Sequence, residues 1–333
     1  MADVENAQAE IGLLIYPDCQ LAAVYGLGDL FRIANEQAQA RLPASGDRLP
    51  PIRVSRWQID EERGDIACVD DSHPGRAHRL SYVIAPPSIV MPERMRPMPA
   101  EAAWMNARHA EGSTLCSVCA GAFVLAETGL VDGRRATTHW AFADELGARF
   151  PRIELAAEHM VVDEGDIVTA GGILAWNDLG LILVERLMGP SVMLATARFL
   201  LIDPPRASQR PYSQFVPRLD HGDEAVRRAQ HHLHAHAGEE MSITKLAGIA
   251  GLTERTFLRR FVKATGVKPI DYLQQTRIAK AREMLELTNQ PVDRIAWTVG
   301  YADPAAFRKV FQKLTGLAPN VFRQRFGVRV SPS

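Results

Sequence analysis

Two cysteines and one histidine in the first half of the chain have the types and spacing that could support thiol chemistry. Cys116 and Cys119 form a C-x-x-C, and Cys119 lies between the apolar run Thr114–Val118 and the small residues Ala120-Gly121-Ala122. These small residues permit a sharp strand-to-helix turn. A thiol at a helix start is expected to have a lowered pKa, because the helix dipole and free N–H groups stabilise a thiolate or an oxyanion. With His139 further along, the pattern allows nucleophilic catalysis, thiol redox chemistry or a polar binding pocket.

A second feature is a repeat in the last third of the chain, in which two segments match about 49 residues apart. The first is SITKLAGIAGLTERTFLRRFVKATGVKP from Ser242, and the second is PVDRIAWTVGYADPAAFRKVFQKLTGLAP from Pro291. Each predicts a helix-turn-helix with a small residue in the first helix, a glycine at the turn, a capping residue and two buried phenylalanines. The corresponding residues are Ala247 and Ala296, Gly251 and Gly300, Thr253 and Asp303, Phe257 and Phe307, and Phe261 and Phe311.

The second helix of each unit carries basic side chains that are expected to contact DNA. Such a helix enters the major groove, where Arg and Lys reach guanine edges and phosphates. Base reading is assigned to Arg255, Arg259, Arg308 and Lys309. The full predicted interface is Thr253, Arg255, Arg259, Arg260, Lys263, Arg277, Asp303, Arg308, Lys309, Lys313 and Arg323. Phosphate contacts are expected from Arg277, Arg282, Arg323 and Arg325. The alternative interpretation is a helical bundle with a solvated basic face.

The candidate site residues must be positioned by helices and strands. The first half of the chain alternates strand-like and helix-like segments. Strands are predicted at 11–16, 52–57, 82–85, 114–118, 159–162 and 167–170, and helices at 21–39, 120–128 and 175–188. This alternation predicts a layered α/β sheet. After residue 220 only a helical period remains, with helices expected at 223–237 and 270–287. The predicted domains are therefore 8–200 and 223–328, joined by a proline-rich linker at 201–222.

Composition and charge agree with two domains of different kinds. The chain has 333 residues, 47% hydrophobic and 23% charged, which excludes a disordered tail, a collagen-like chain and a disulfide scaffold. Residues 221–333 hold 18 Lys+Arg and 10 Asp+Glu, whereas residues 1–220 hold 20 and 29. This split is typical of an acidic globular domain joined to a nucleic-acid-binding domain. The first ten residues lack the apolar segment of a signal peptide, and we expect a cytoplasmic protein with no membrane partner.

The repeat resembles the AraC/XylS-type DNA-binding domain over residues 223–326. In that family two helix-turn-helix units are joined by a long helix, here Ile270–Leu287. The signature of the second unit is present as Gly300-Tyr301-Ala302-Asp303, Phe307, Lys309, Phe311, Gln312, Gly316 and Pro319. The resemblance implies that one subunit places two recognition helices in successive major grooves of double-stranded DNA, about 34 Å apart.

The segment CAGAFVLAETGLVDGRRATTHW from Cys119 resembles the ThiJ/PfpI group, within the class I glutamine-amidotransferase-like fold. It is more similar to the sensor domains of GlxA-like regulators, and the resemblance covers about residues 11–200. It implies a flavodoxin-like α/β domain ahead of an all-α domain with two helix-turn-helix motifs. Three positions depart from the catalytic members of the group. Ala23 replaces a carboxylate, Leu27 replaces a proline, and Ala120 replaces a hydroxyl residue beside the thiol.

Four interpretations of Cys119 and His139 remain open after these departures. The favoured one is a pocket that binds a small effector without catalysis, with Cys119 and His139 as vestigial catalytic residues. The predicted lining is Tyr25, Cys119, Ala120, His139, Trp140, Trp176 and Asp178, in which aromatic rings and one acid suit a nitrogen-containing cation. The alternatives are a cysteine-dependent hydrolase or hydratase, a redox sensor, and a purely structural cysteine. His232 and His236 have a spacing that can bind metal, but a solvated helix face is favoured, and we predict no metal or cofactor.

The sequence therefore predicts a transcription regulator and not an enzyme. Its expected partners are promoter DNA, a small-molecule effector and a second copy bound through the first domain. The resemblance to GlxA-like proteins favours an activator, with RNA polymerase as a further partner.

Overall fold

The computed structural model describes residues 9–41 and 51–328, and these form two compact units. The first unit ends at Gln209 and the second begins at Arg210. This division falls inside the predicted linker and extends the first unit beyond residue 200. The start predicted at residue 8, and the assignment of the first eight residues as lacking a signal peptide, lie outside the described residues.

In the first unit, seven of the described strands form one sheet with the order β3-β2-β1-β4-β5-β9-β8. The five central strands pair in parallel, and β3 and β8 close the two edges in antiparallel pairs. Two short strands, β6 and β7, pair separately. The strands are β1 Ala9–Ile15, β2 Ile52–Ile59, β3 Ile66–Asp71, β4 Tyr82–Ala85, β5 Thr114–Val118, β6 Arg135–Ala136, β7 Glu154–Leu155, β8 Val161–Asp163 and β9 Ile167–Ala170.

The helices of the first unit form two groups, α1 with α5 and α6, and α2 with α3. Their bounds are α1 Leu21–Gln39, α2 Pro99–Ala110, α3 Gly121–Ala126, α4 Ala143–Arg149, α5 Trp176–Met188 and α6 Pro190–Leu200. Strands connected by helices in this order give the flavodoxin-like α/β architecture predicted from the sequence. The predicted bounds of α1, β4, β5 and β9 are confirmed, and those of β1, β2, β8, α3 and α5 are shifted by one or two residues. The elements β3, α2, α4 and α6 were not predicted.

The carboxyl ends of the parallel strands meet at one edge of the sheet, which we call the carboxyl edge. There the turn after β1 pairs with the turn after β4, through the Gln20 N–H to Pro87 carbonyl bond (2.7 Å) and the Ile89 N–H to Asp18 carbonyl bond (2.9 Å). The amide of Cys119, just after β5, donates to the Ala170 carbonyl at the end of β9 (2.8 Å). Ligands of open α/β sheets bind at this edge.

The described part of the second unit consists of helices in which two hydrophobic cores share one long helix. The helices are α7 Glu224–Ala235, α8 Ile243–Ala250, α9 Glu254–Thr265, α10 Pro269–Leu287, α11 Val292–Thr298, α12 Pro304–Thr315 and α13 Pro319–Phe326. Tyr272 and Leu273 of α10 belong to the core around α8 and α9. Ile278 and Leu285 of the same helix belong to the core around α11 and α12. The predicted arrangement of two helix-turn-helix units on one long helix is confirmed.

The glycines and capping residues at the turns of the two helix-turn-helix units agree with the prediction, with one exception. Gly251 and Gly300 have φ of +69° and +93°, the left-handed region that favours glycine. The Asp303 carboxylate accepts from the Ala305 amide at 2.8 Å and so caps α12. Thr253 occupies the N-cap position of α9 as predicted, but its hydroxyl donates to Thr256 and makes no capping hydrogen bond to the backbone.

None of the helices within residues 9–41 and 51–328 is long and apolar enough to cross a membrane.

Candidate functional site

The outward face of α9 lies opposite its buried phenylalanines. Phe257 and Phe261 are fully buried in the core. Arg255, Arg259 and Lys263 are exposed, as predicted for side chains that reach DNA. Because residues three and four apart share a helix face, Arg255 and Arg259 project from the same side.

The second unit repeats this arrangement with different residues. Phe307 and Phe311 are buried, and Arg308, Lys309 and Lys313 of α12 are exposed. Arg308 forms an ion pair with Asp293 of α11, and both side chains are half-exposed. Contact of Arg308 with a base would compete with this ion pair.

Arg260 does not share the orientation of its neighbour Arg259. Its guanidinium forms two hydrogen bonds to Asp223, at 2.8 and 2.7 Å. The Asp223 carboxylate also accepts from the Val226 amide (3.1 Å) and so caps α7. The Arg260 guanidinium lowers the pKa of Asp223, so this carboxylate stays ionised. Arg260 therefore ties α9 to the start of α7.

The four arginines predicted to contact phosphates all donate hydrogen bonds within the second unit. Arg277 donates to the carbonyls of Ala237 and Glu239, both at 2.8 Å. The acceptors of the other three are the Ser213 and Pro211 carbonyls for Arg282, the Gln290 carbonyl for Arg323 and the Tyr212 hydroxyl for Arg325. These side chains therefore already connect separate segments of the second unit, and phosphate contacts would have to use their remaining N–H groups.

The elbow in the first unit has the sharp geometry predicted at Cys119. The residue has φ of +55°, a conformation that costs a non-glycine residue free energy. Gly121 makes the turn possible, because a Cβ there would lie 2.3 Å from the Ala85 carbonyl oxygen and 2.5 Å from that of Pro86. The Thr138 hydroxyl donates to the Cys119 carbonyl at 2.8 Å.

The expected lowering of the Cys119 pKa is wrong. The side chain is 1% exposed, and burial raises its pKa to about 12, with the Ala120 amide acting weakly in the other direction. Burial likewise raises the pKa of Cys116 to about 12. Desolvation thus raises the Cys119 pKa by more than the dipole of the six-residue helix α3 can lower it. Both thiols are free and stay protonated at neutral pH.

His139 lies next to the elbow and is a neutral ring. Burial lowers its pKa, and its Nδ1 accepts a hydrogen bond from the Ala141 amide at 3.2 Å. The ring contacts Trp140 and Phe142, with centroids 5.4 and 4.9 Å apart. This environment suits binding or weak proton acceptance more than the stabilisation of a thiolate.

The other predicted lining residues fall into two sets. In the first set, Trp176 packs over Gly26 of α1. The neighbouring Tyr25 is 53% exposed, and the Arg56 guanidinium lies 4.7 Å from the centroid of its ring. Asp178, by contrast, is 4% exposed, and its carboxylate already accepts from the Arg206 amide (2.7 Å) and guanidinium (2.5 Å). It is therefore not the available acid that a cationic ligand would need.

Two residues at the elbow were missed by the sequence analysis. Gln209 is 2% exposed, and its Nε2 lies within 3.2 Å of the Thr137 hydroxyl and the carbonyls of Thr138, Ala157 and His159. Tyr16 donates to the Pro86 carbonyl at 2.5 Å, and its burial, with Cys19 and Cys119 nearby, raises its pKa. Gln209 lies in a proline-rich segment, which predicted only a linker. Tyr16 lies in an apolar run, which predicted only a strand.

Comparison with known proteins matches each unit to a family. Residues 246–325 match the helix-turn-helix domain family, and residues 46–186 match the DJ-1/PfpI family. The chain is 27% identical over 219 residues to the HTH-type transcriptional regulator GlxA of Rhizobium meliloti, covering 65% of this chain and 67% of that protein. It is 28% identical over 225 residues to the HTH-type transcriptional regulator CdhR of Pseudomonas aeruginosa, covering 67% and 66%. The chain thus spans about two thirds of the length of these regulators.

Another relative is an enzyme. The chain is 33% identical over 132 residues to the isonitrile hydratase of Pseudomonas putida, covering 38% of this chain and 54% of that protein.

The matches define the class of the protein, in which a DJ-1/PfpI domain is followed by an AraC-type helix-turn-helix domain. The chain is similar to GlxA-like regulators of the AraC family, and this similarity, predicted from the sequence, is confirmed.

Proposed function

We propose that this protein binds promoter DNA sequence-specifically through both helix-turn-helix units and regulates transcription in response to a small molecule bound by its first unit. The observation that carries the proposal is the pair of exposed basic helix faces, on α9 and α12, mounted on the shared helix α10. A rigid shared helix fixes the spacing of two recognition helices, which is what reading two successive major grooves requires.

Two lysine-to-alanine substitutions, one on the proposed DNA-binding surface and one outside it, test that surface. Genomic fragments of the source organism that the full-length protein retains at 150 mM salt would supply the specific DNA. Lys309→Ala should weaken binding to them at least tenfold, and binding to unrelated DNA by less. Lys280→Ala is the control, because Lys280 is an exposed residue of α10 that donates to the His234 carbonyl. Equal losses in both variants would contradict the assignment.

For the first unit we propose binding without turnover, at the carboxyl edge near Cys119. The buried, protonated thiol supports this, as do Ala23 and Leu27, which are fully buried in α1 where catalytic relatives have a carboxylate and a proline. Tyr25, His139, Trp140 and Trp176 remain the proposed lining. We further propose a nitrogen-containing effector, activation of transcription with RNA polymerase as partner, and a homodimer formed through the first unit.

A thermal-shift screen of wild-type protein and Cys119→Ala against amines, amino acids and betaines tests this proposal. A compound that raises the melting temperature of both proteins and stays chemically intact supports a sensor. Light scattering of the purified protein measures the proposed dimer directly. A protein that no compound stabilises would contradict the proposed effector class.

The second candidate function is a cysteine-dependent hydratase or hydrolase. The similarity to isonitrile hydratase and the strained φ of Cys119 favour it. The probe is an alkyl isonitrile incubated with the full chain, with the formamide product measured by mass spectrometry. Product that disappears in Cys119→Ala would establish catalysis and overturn the sensor proposal.

A further inference from the structure

The outward face of α9 carries two apolar residues among its arginines. Leu258 is 38% exposed and Val262 is 40% exposed. With Arg255 and Arg259 they follow a spacing of three, four and seven residues, so all four side chains project from one side of the helix. The face opposite the buried Phe257 is thus a mixed surface of guanidinium and hydrocarbon.

The second helix-turn-helix unit supplies an internal comparison. When Phe257 is aligned with Phe307, Leu258 corresponds to Arg308 and Val262 corresponds to Gln312. Arg308 and Gln312 are both exposed. The same two positions are therefore polar in one recognition helix and apolar in the other, although the buried residues of the two helices match.

The major groove offers one apolar group, the C5-methyl of thymine, and apolar side chains contact it. Arginine pairs instead with guanine O6 and N7. We infer that Leu258 and Val262 read thymine methyl groups, so that the first helix-turn-helix unit requires thymine beside the guanine contacted by Arg255 or Arg259. The inference rests on the proposed function as a DNA-binding regulator. It assigns different base preferences to the two units, with Arg308 and Gln312 contacting bases through hydrogen bonds in the second.

The test begins with selection of bound duplexes from a random-sequence library by the full-length protein at 150 mM salt. In the enriched sequence each thymine is then replaced by uracil, which removes only the methyl group. Burying one such group contributes about 0.8 kcal/mol, so a uracil at a position read by Leu258 or Val262 should weaken binding about fourfold.

The variants Leu258→Ala and Val262→Ala assign the effect to these side chains. In the double variant, duplexes with thymine and with uracil should bind equally well. Val321→Ala is the matched control, because Val321 is a 46% exposed valine on α13 and its loss should leave the uracil effect unchanged. All three are surface substitutions, and thermal melting confirms that each variant is folded.

The outcomes separate this inference from the proposed function. If sequences are enriched but no uracil substitution weakens binding, the protein reads DNA without these methyl groups and the inference is overturned. A uracil effect that persists in the double variant also overturns it, because the effect then comes from DNA shape or other residues. If binding is unchanged in the double variant and self-association is lost instead, the apolar face is a protein contact. If no sequence is enriched at all, the proposed function itself fails, and this inference fails with it.

Discussion

At Cys119, two effects on one thiol oppose each other, and burial is the larger. The position at the start of a helix lowers a thiol pKa, but a short helix supplies only a partial charge, whereas full burial penalises the thiolate by several pKa units. Burial raises the pKa of Cys119 to about 12, the same value as for Cys116, which lies within β5 and away from any helix start. The residue type at the elbow is that of a nucleophile, while its environment is that of a core residue.

These raised thiol pKa values predict a stability that falls with alkaline pH. Between pH 9 and 12 the unfolded chain loses the thiol protons that the folded chain keeps, so rising pH favours unfolding. Each thiol should reduce the free energy of unfolding by about 1 kcal/mol between pH 8 and pH 10. Urea unfolding of wild-type protein and Cys119→Ala across this range measures the difference. The slope against pH should be smaller in the variant, and identical slopes would show that Cys119 ionises freely in the folded state.

Two neighbouring arginines should respond in opposite ways to the same substitution. Arg260→Ala removes both hydrogen bonds to Asp223 and should lower the melting temperature of the second unit, with a small change in DNA affinity. Arg259→Ala should leave the melting temperature unchanged and weaken specific DNA binding about tenfold or more. Calorimetry and a binding titration on both variants decide the point. The reverse pattern would mean that Asp223 releases Arg260 to DNA.

The sequence could not distinguish the roles of these two arginines, because the position of a basic residue on a predicted helix does not show which group it contacts. The buried phenylalanines were predictable, since an aromatic pair repeated at helical spacing is typical of a helix face that packs into a core. Arg277, Arg282, Arg323 and Arg325 bind backbone carbonyls or a hydroxyl on segments far away in sequence. Only the folded loops reveal those acceptors.

At the scale of elements, the turn after β5 depends on the absence of a side chain at Gly121. Gly121→Ala would force the elbow away from the Ala85 and Pro86 carbonyls, and overpacking of this kind costs about 1–3 kcal/mol. Gly172→Ala is the control, because a Cβ at Gly172 would meet no atom within 4 Å. Thermal unfolding of the two variants should show a large loss only in the first. Comparable melting temperatures would mean that the elbow can shift without cost.

Some short apolar strands were predictable to the residue, whereas β1, predicted at 11–16, is observed at Ala9–Ile15. β4, β5 and β9 are short apolar strands in the sheet centre, and their predicted bounds are confirmed. β3 is an edge strand in which no residue is fully buried, and α2 buries only Glu101, Ala102 and Met105, so neither contains a run of large buried apolar residues. The helix α6 follows α5 after the single residue Gly189, and no second helix was predicted there.

At the scale of the whole molecule, a proline-rich segment between two domains is part of the first domain's structure. Residues 206–209 are tied to the first unit by the Arg206 pair with Asp178, the Ser208 hydroxyl bond to the Glu158 carbonyl (2.9 Å) and the buried Gln209 amide. The prolines correctly signalled an irregular segment, but its contacts depend on acceptors more than 25 residues away in sequence. The charge split between the halves, in contrast, was visible without any structure.

The attachment of residues 206–209 predicts where the first domain can be cut. A fragment that ends at residue 209 should unfold cooperatively, whereas one that ends at residue 200 should lose about 1–3 kcal/mol, because it lacks the hydrogen bonds that the Arg206 amide and guanidinium donate to the Asp178 carboxylate. Urea unfolding of both fragments measures the loss. In the full chain, Arg206→Ala should reproduce most of it, and Arg198→Ala, which changes an exposed arginine of α6, should not. Equal stability of the two fragments would show that this segment only connects the domains, and the boundary would then fall at residue 200 as the sequence predicted.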